Sequence, residues 1–97
     1  MAGEMIYRMK GRVVLRRIGA DRLLVPVAGG AARKNCVFPL NNTGVFIWER
    51  LSAGQPLGAV AQALTEAFEV SKEEALFDCQ KYAGDLVAQQ LLEGAAK

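Results

Sequence analysis

The side chains that usually carry catalysis are missing or misplaced in this sequence. With no histidine among its 97 residues, the chain lacks the commonest general base near neutral pH. Its two cysteines, Cys36 and Cys79, are far apart and form no C-x-x-C, so neither a disulfide framework nor a zinc site is indicated. Both read as buried or half-buried thiols, since free cysteine behaves as a small hydrophobe. No serine or cysteine sits in a nucleophile motif, no glycine-rich loop opens a helix as a phosphate cradle, and the carboxylates are scattered singly. No cofactor, metal or unaided catalysis is expected.

The charge is uneven. Residues 1–50 carry nine Lys or Arg against Glu4, Asp21 and Glu49, whereas residues 51–97 carry three Lys against seven acids, giving a basic front (+6), an acidic back (−4) and the net +2. A basic face gives weak support to nucleic acid binding and equally suits an acidic peptide or protein. Just over half of the residues are apolar, but no run approaches the roughly 18 needed to cross a membrane. The N-terminus mixes charge with single apolar residues and lacks a signal-peptide h-region, so the expected location is cytoplasmic.

The first half reads as strands. Arg12 to Ile18 (RVVLRRI) and Arg22 to Val27 (RLLVPV) alternate on either side of a Gly-Ala-Asp turn, which predicts a hairpin. Pro26 belongs near a strand end or bulge, because it cannot donate to a ladder. After the Gly/Ala-rich connection AGGAAR, Lys34 to Leu40 (KNCVFPL) reads as a third strand. From Thr43 the period changes to helical. Val45, Trp48 and Leu51 with Phe46 and Ile47 form the first stripe, capped by Asn42 or Thr43 and stopped near Gly54 and Pro56. Leu57, Val60, Ala61, Leu64 and Phe68 mark a second helix ending at about Glu69. Ser71 to Glu74 (SKEE) fits a capping box for a long third helix, with Leu76, Cys79, Ala83, Leu86 and Leu91 on its core side. The order βββααα predicts a winged-helix-like α+β fold: a three-stranded antiparallel sheet followed by three helices. Residues 1–11 read as a tail, 12–93 as one domain, and 94–97 as a frayed end.

The run from Leu40 to Gly94 resembles the PqqD family, the small proteins related to pyrroloquinoline quinone (PQQ) synthesis protein D. The matching residues are LNxTG at Leu40 to Gly44, IWE at Ile47 to Glu49, Gly54, the F-x-V turn at Phe68 to Val70, Asp78, and Leu91 with Leu92. The preceding VLRRIGADRLLVPVAGG is similar to the strands of stand-alone members, so the resemblance covers roughly Gly11 to Gly94. It implies a recognition element for ribosomally made, post-translationally modified (RiPP) peptides. Such an element acts as a peptide chaperone, holding the leader of a precursor peptide for a modifying enzyme, commonly a radical S-adenosylmethionine (radical SAM) enzyme. In the family the leader adds as a strand beside the third strand, in a groove walled by the third helix.

Carried onto this sequence, the resemblance implies a binding edge at Lys34, Asn35, Cys36, Val37 and Phe38, closed by Pro39, with Tyr82, Asp85, Leu86 and Gln89 on the helix wall. An open strand edge suits such β-augmentation and also permits a homodimer. Two rivals remain. A winged-helix DNA-binding regulator needs Arg, Lys, Asn or Gln on its reading helix, whereas the third helix carries Glu73, Glu74, Asp78 and Asp85 against Lys72 and Lys81. An adaptor that touches only its enzyme would bind no peptide by itself.

Overall fold

The computed structural model describes residues 5–28 and 37–95. Five strands and three helices follow in the order β1 (Tyr7–Met9), β2 (Arg12–Ile18), β3 (Asp21–Ala28), β4 (Phe38–Leu40), α1 (Asn42–Ser52), α2 (Leu57–Phe68), α3 (Lys72–Ala88) and β5 (Leu92–Gly94). The expected hairpin and the three helices are present. The expectation of a single three-stranded sheet is corrected, because the strands form two antiparallel sheets, β2-β3-β4 and β1-β5.

Alternation builds the larger sheet. Val13 and Leu24 point inward and are buried, while Arg12 and Arg16 stay outside. β2 and β3 turn through Gly19 and Ala20, with Ile18 opposite Asp21, and Gly19 takes the positive φ of +62° that a tight hairpin demands. At the other end Arg12 faces Ala28 while Val13 faces Pro26, so Val27 is the extra residue of a bulge. Proline is tolerated at such an interruption because no ladder donor is required of it there. β4 then pairs with β3, Leu24 opposite Phe38 and Arg22 opposite Leu40.

The helices close over this sheet. α1 contributes Ile47, Trp48 and Leu51, α2 contributes Leu57, Val60 and Leu64, and all join one core with Val13, Leu24 and Leu40. Trp48 keeps only 4% of its surface exposed; an aromatic of that size buries about 200 Å². α3 presents small residues, Ala75, Cys79 and Ala83, which let it lie close to its neighbours before Leu86 fills the end of the stripe. Its start is capped as expected: the Ser71 hydroxyl accepts the Glu74 N–H at 3.1 Å. α1 differs in detail. Its cap is Asn41, whose Oδ1 accepts the Gly44 N–H at 2.7 Å, one residue before Asn42 and two before Thr43, the expected caps.

The second sheet is a clasp between segments read from sequence as a tail and a helix end. Tyr7 pairs with Gly94 and Met9 with Leu92, flanked by Lys10 N–H to Leu91 O and Ala95 N–H to Ile6 O. α3 stops at Ala88, and Gln90 at φ 61° turns the chain back. Leu91, expected on α3, thus enters the core from beyond the helix, next to fully buried Leu92. Outside, Arg8 Nε meets Glu93 Oε2 at 2.6 Å.

Candidate functional site

β4 lies at one margin of its sheet and, among the described residues, pairs only with β3. A cavity of about 360 Å³ runs beside that margin. Phe38 and Pro39 line it from β4, Asn41 and Thr43 from the start of α1, and Asp78, Lys81, Tyr82 and Asp85 from α3. Residues 78, 81, 82 and 85 fall on one helix face by their three- and four-residue spacing.

One atom organises this corner. Asn41 Oδ1 caps α1 and also accepts the Tyr82 hydroxyl at 2.9 Å, so a single side chain ties the entry of α1 to the middle of α3. Gly44 completes the arrangement. A Cβ there would lie 3.0 Å from Tyr82 Cε1 and Cζ and 3.0 Å from Leu40 Cδ2, too close without displacement of one of them. Burial, followed by the negative charge of Asp78, raises the Tyr82 pKa, which keeps the phenol a hydrogen-bond donor. The site therefore offers a backbone margin that is unpaired among the described residues, half-buried aromatic surface from Phe38 and Tyr82, and a rim of two carboxylates and one ammonium.

The structure brings together Phe38, Tyr82 and Asp85 of the residues implied by the resemblance. Val37, 53% exposed, stands at the entrance to β4. Leu86 has no exposed surface, as its place on the core-side stripe with Cys79 and Ala83 predicts, so the wall role implied for it by the resemblance is corrected. Gln89 is exposed at the C-cap of α3 and lies outside the cavity lining. Lys34, Asn35 and Cys36 fall outside the described residues. Asn41, Thr43, Asp78 and Lys81 were not among the expected contacts. Asn41 and Thr43 had a signal in the LNxTG motif, and Asp78 and Lys81 in their α3 spacing to Asp85.

The sequence profile described as Coenzyme PQQ synthesis protein D (PqqD) matches residues 30–92. The chain belongs to the PqqD family. The match spans the elements that build the groove, from before β4 through α3, and the PqqD-family motif has a physical account here: Leu40 is core, Asn41 is cap and Tyr82 acceptor, and Gly44 makes room for the ring. Two solved structures share the fold. One, "Lasso peptide synthetase B1 complexed with the leader peptide", is 23% identical with a TM-score of 0.75, covering 90% of this chain and 96% of that one. The other, "TbiB1 in Complex with the TbiA(beta) Leader Peptide", is 22% identical with a TM-score of 0.74, covering 93% and 99%. No curated protein matches the chain by sequence.

Proposed function

We propose that this PqqD-family chain binds the leader segment of a ribosomally made precursor peptide as an added strand on β4 and presents it to a modifying enzyme, of the radical SAM class. The observation that carries this reading is the margin of β4, open among the described residues, beside a cavity walled by α3, in a fold shared with two chains solved in complex with leader peptides. In this reading the protein is a non-catalytic adaptor with a winged-helix-like frame, working in PQQ or another RiPP pathway.

Main-chain bonds supply the attachment and side-chain pockets the selectivity. A proline within a ladder turns its nitrogen to the unpaired side, and strand alternation sends the Val37 N–H the same way. Val37 is then the last outward donor, so pairing begins before β4 and stops at Pro39. Residues Lys34 to Val37 would carry most of the ladder, while Phe38 and Tyr82 receive an apolar anchor. Micromolar affinity corresponds to about −8 kcal/mol, within reach of a few such bonds and one or two anchors. Against DNA binding stand the acids of α3 and the absence of Lys and Arg from α2.

The test is titration of synthetic leaders, drawn from any short precursor reading frames found next to its gene, into the purified protein and its Val37→Pro variant. Binding that drops at least about tenfold in a variant with unchanged helical circular dichroism supports strand addition. Undiminished binding in the folded variant overturns the docking edge. Failure of the wild type to bind any leader, with complex formation by the enzyme alone, supports the enzyme-only adaptor instead.

A further inference from the structure

A second concavity of about 260 Å³ shares no lining residue with the groove. It sits at the tip of the β2–β3 hairpin, walled by Arg16, Arg17 and Arg22 and by Glu49 of α1, over a floor of Leu15 and Val45. Arg17 and Arg22 are direct cross-strand partners. Alternation from Leu15 and Leu24 places both on the face turned towards α1, where like charges opposite one another are destabilising.

Among the described residues no carboxylate forms an ion pair with them, although Glu49 stands in the same wall. Arg22 Nη1 donates to Asn42 Oδ1 at 2.8 Å, a neutral acceptor, and among the described residues the ion pair is Arg8–Glu93 alone, so Glu49 forms none with these guanidiniums. The single arginine of α1 is engaged elsewhere, Arg50 lying 3.7 Å over the Phe46 ring. Leu15 and Val45 put half-buried aliphatic surface beneath the arginines, and arginine over such a floor is a common composition of protein interfaces.

We infer that this notch docks an acidic segment of the modifying enzyme, one that places a carboxylate between Arg17 and Arg22 and an aliphatic side chain on Leu15 and Val45. Only the partner's identity rests on the leader-binding reading; the charge complementarity does not. A carboxylate suits the site better than a nucleic acid strand, because the notch accommodates one side chain at a time and has an apolar floor. A phosphate backbone would require a continuous basic track, which acidic α3 and uncharged-to-acidic α2 do not extend.

The experiment is an NMR titration of the full chain with a Glu-Leu-Glu-Leu-Glu peptide, with a Lys-Leu-Lys-Leu-Lys peptide and a short oligothymidine as comparisons. The acidic peptide is expected to shift amides at residues 15–22 and 45–49, with affinity falling about tenfold between low salt and roughly 0.3 M. The double variant Arg17→Glu/Arg22→Glu should lose those shifts and retain leader binding at Val37 to Leu40. The single variant Arg17→Glu, which keeps the Arg22–Asn42 hydrogen bond, should melt at a higher temperature than the wild type, since a repulsive pair becomes an attractive one. Shifts elsewhere, shifts that persist in the double variant, or stronger binding of oligothymidine at the same amides would overturn the inference. If the acidic peptide docks while no leader binds, the notch stands and the leader reading falls.

Discussion

Asn41 is where the corner of the groove is most sensitive. Its Oδ1 serves both the Gly44 N–H and the Tyr82 hydroxyl, so Asn41→Ala removes a helix cap, worth ~1 kcal/mol, and hands a solvent-accessible phenol to water, at ~0.5–1.5 kcal/mol. Tyr82→Phe removes only the second contact and is expected to cost ~1 kcal/mol. Urea denaturation of both variants and of the double variant checks this, the pair being non-additive because they share one bond. Gly44→Ala should be worse for binding than for folding: its Cβ meets Leu40 and the Tyr82 ring at 3.0 Å, the ring yields, and leader affinity falls. Calorimetry on a variant shown to be folded measures that. Cys79 gives a pH signature. Burial, reinforced by Asp78, pushes its thiol up to about 11, whereas an unfolded cysteine ionises near 8.5. The native state therefore holds a proton that the unfolded state has lost, and stability falls from about pH 8.5 to pH 11, then levels. Cys79→Ala should flatten that segment of the stability curve.

At the scale of elements, the clasp is held from inside. Leu92→Ala empties a fully buried position and should cost ~2–5 kcal/mol, against under ~1 kcal/mol for Arg8→Ala, whose ion pair is solvent-exposed. Thermal unfolding of the two variants separates these magnitudes. The same comparison explains what could be read from sequence. The hairpin, the three helices and the Ser71 cap were legible because long alternating or helical stripes and a capping box are local signals. β1 and β5 were not, because three residues such as Tyr7-Arg8-Met9 show no period of their own and are strands only through pairing with Leu92-Glu93-Gly94. Of the site, Tyr82 and Phe38 were legible through the family pattern. Asn41 was not recognised as more than a motif letter, since its role depends on a tyrosine 41 positions away. Leu86 was legible as core from its helical stripe, and the family pattern alone put it on the wall, because a residue on the wall-forming helix can still face the core.

For the molecule as a whole, every helix and both sheets contribute to one core, so unfolding should be a single cooperative event. Trp48 fluorescence and helical circular dichroism are expected to report coincident urea midpoints; a separate early loss of either signal would mean that the clasp or the hairpin opens by itself. Because Tyr7 stands directly against Gly94, the two ends of the described body leave it side by side. A body of that form can be spliced into a surface loop of another protein through two short linkers, without stretching either its own chain or its host's. Inserted into a fluorescent reporter, it would turn peptide capture into an optical signal while remaining folded.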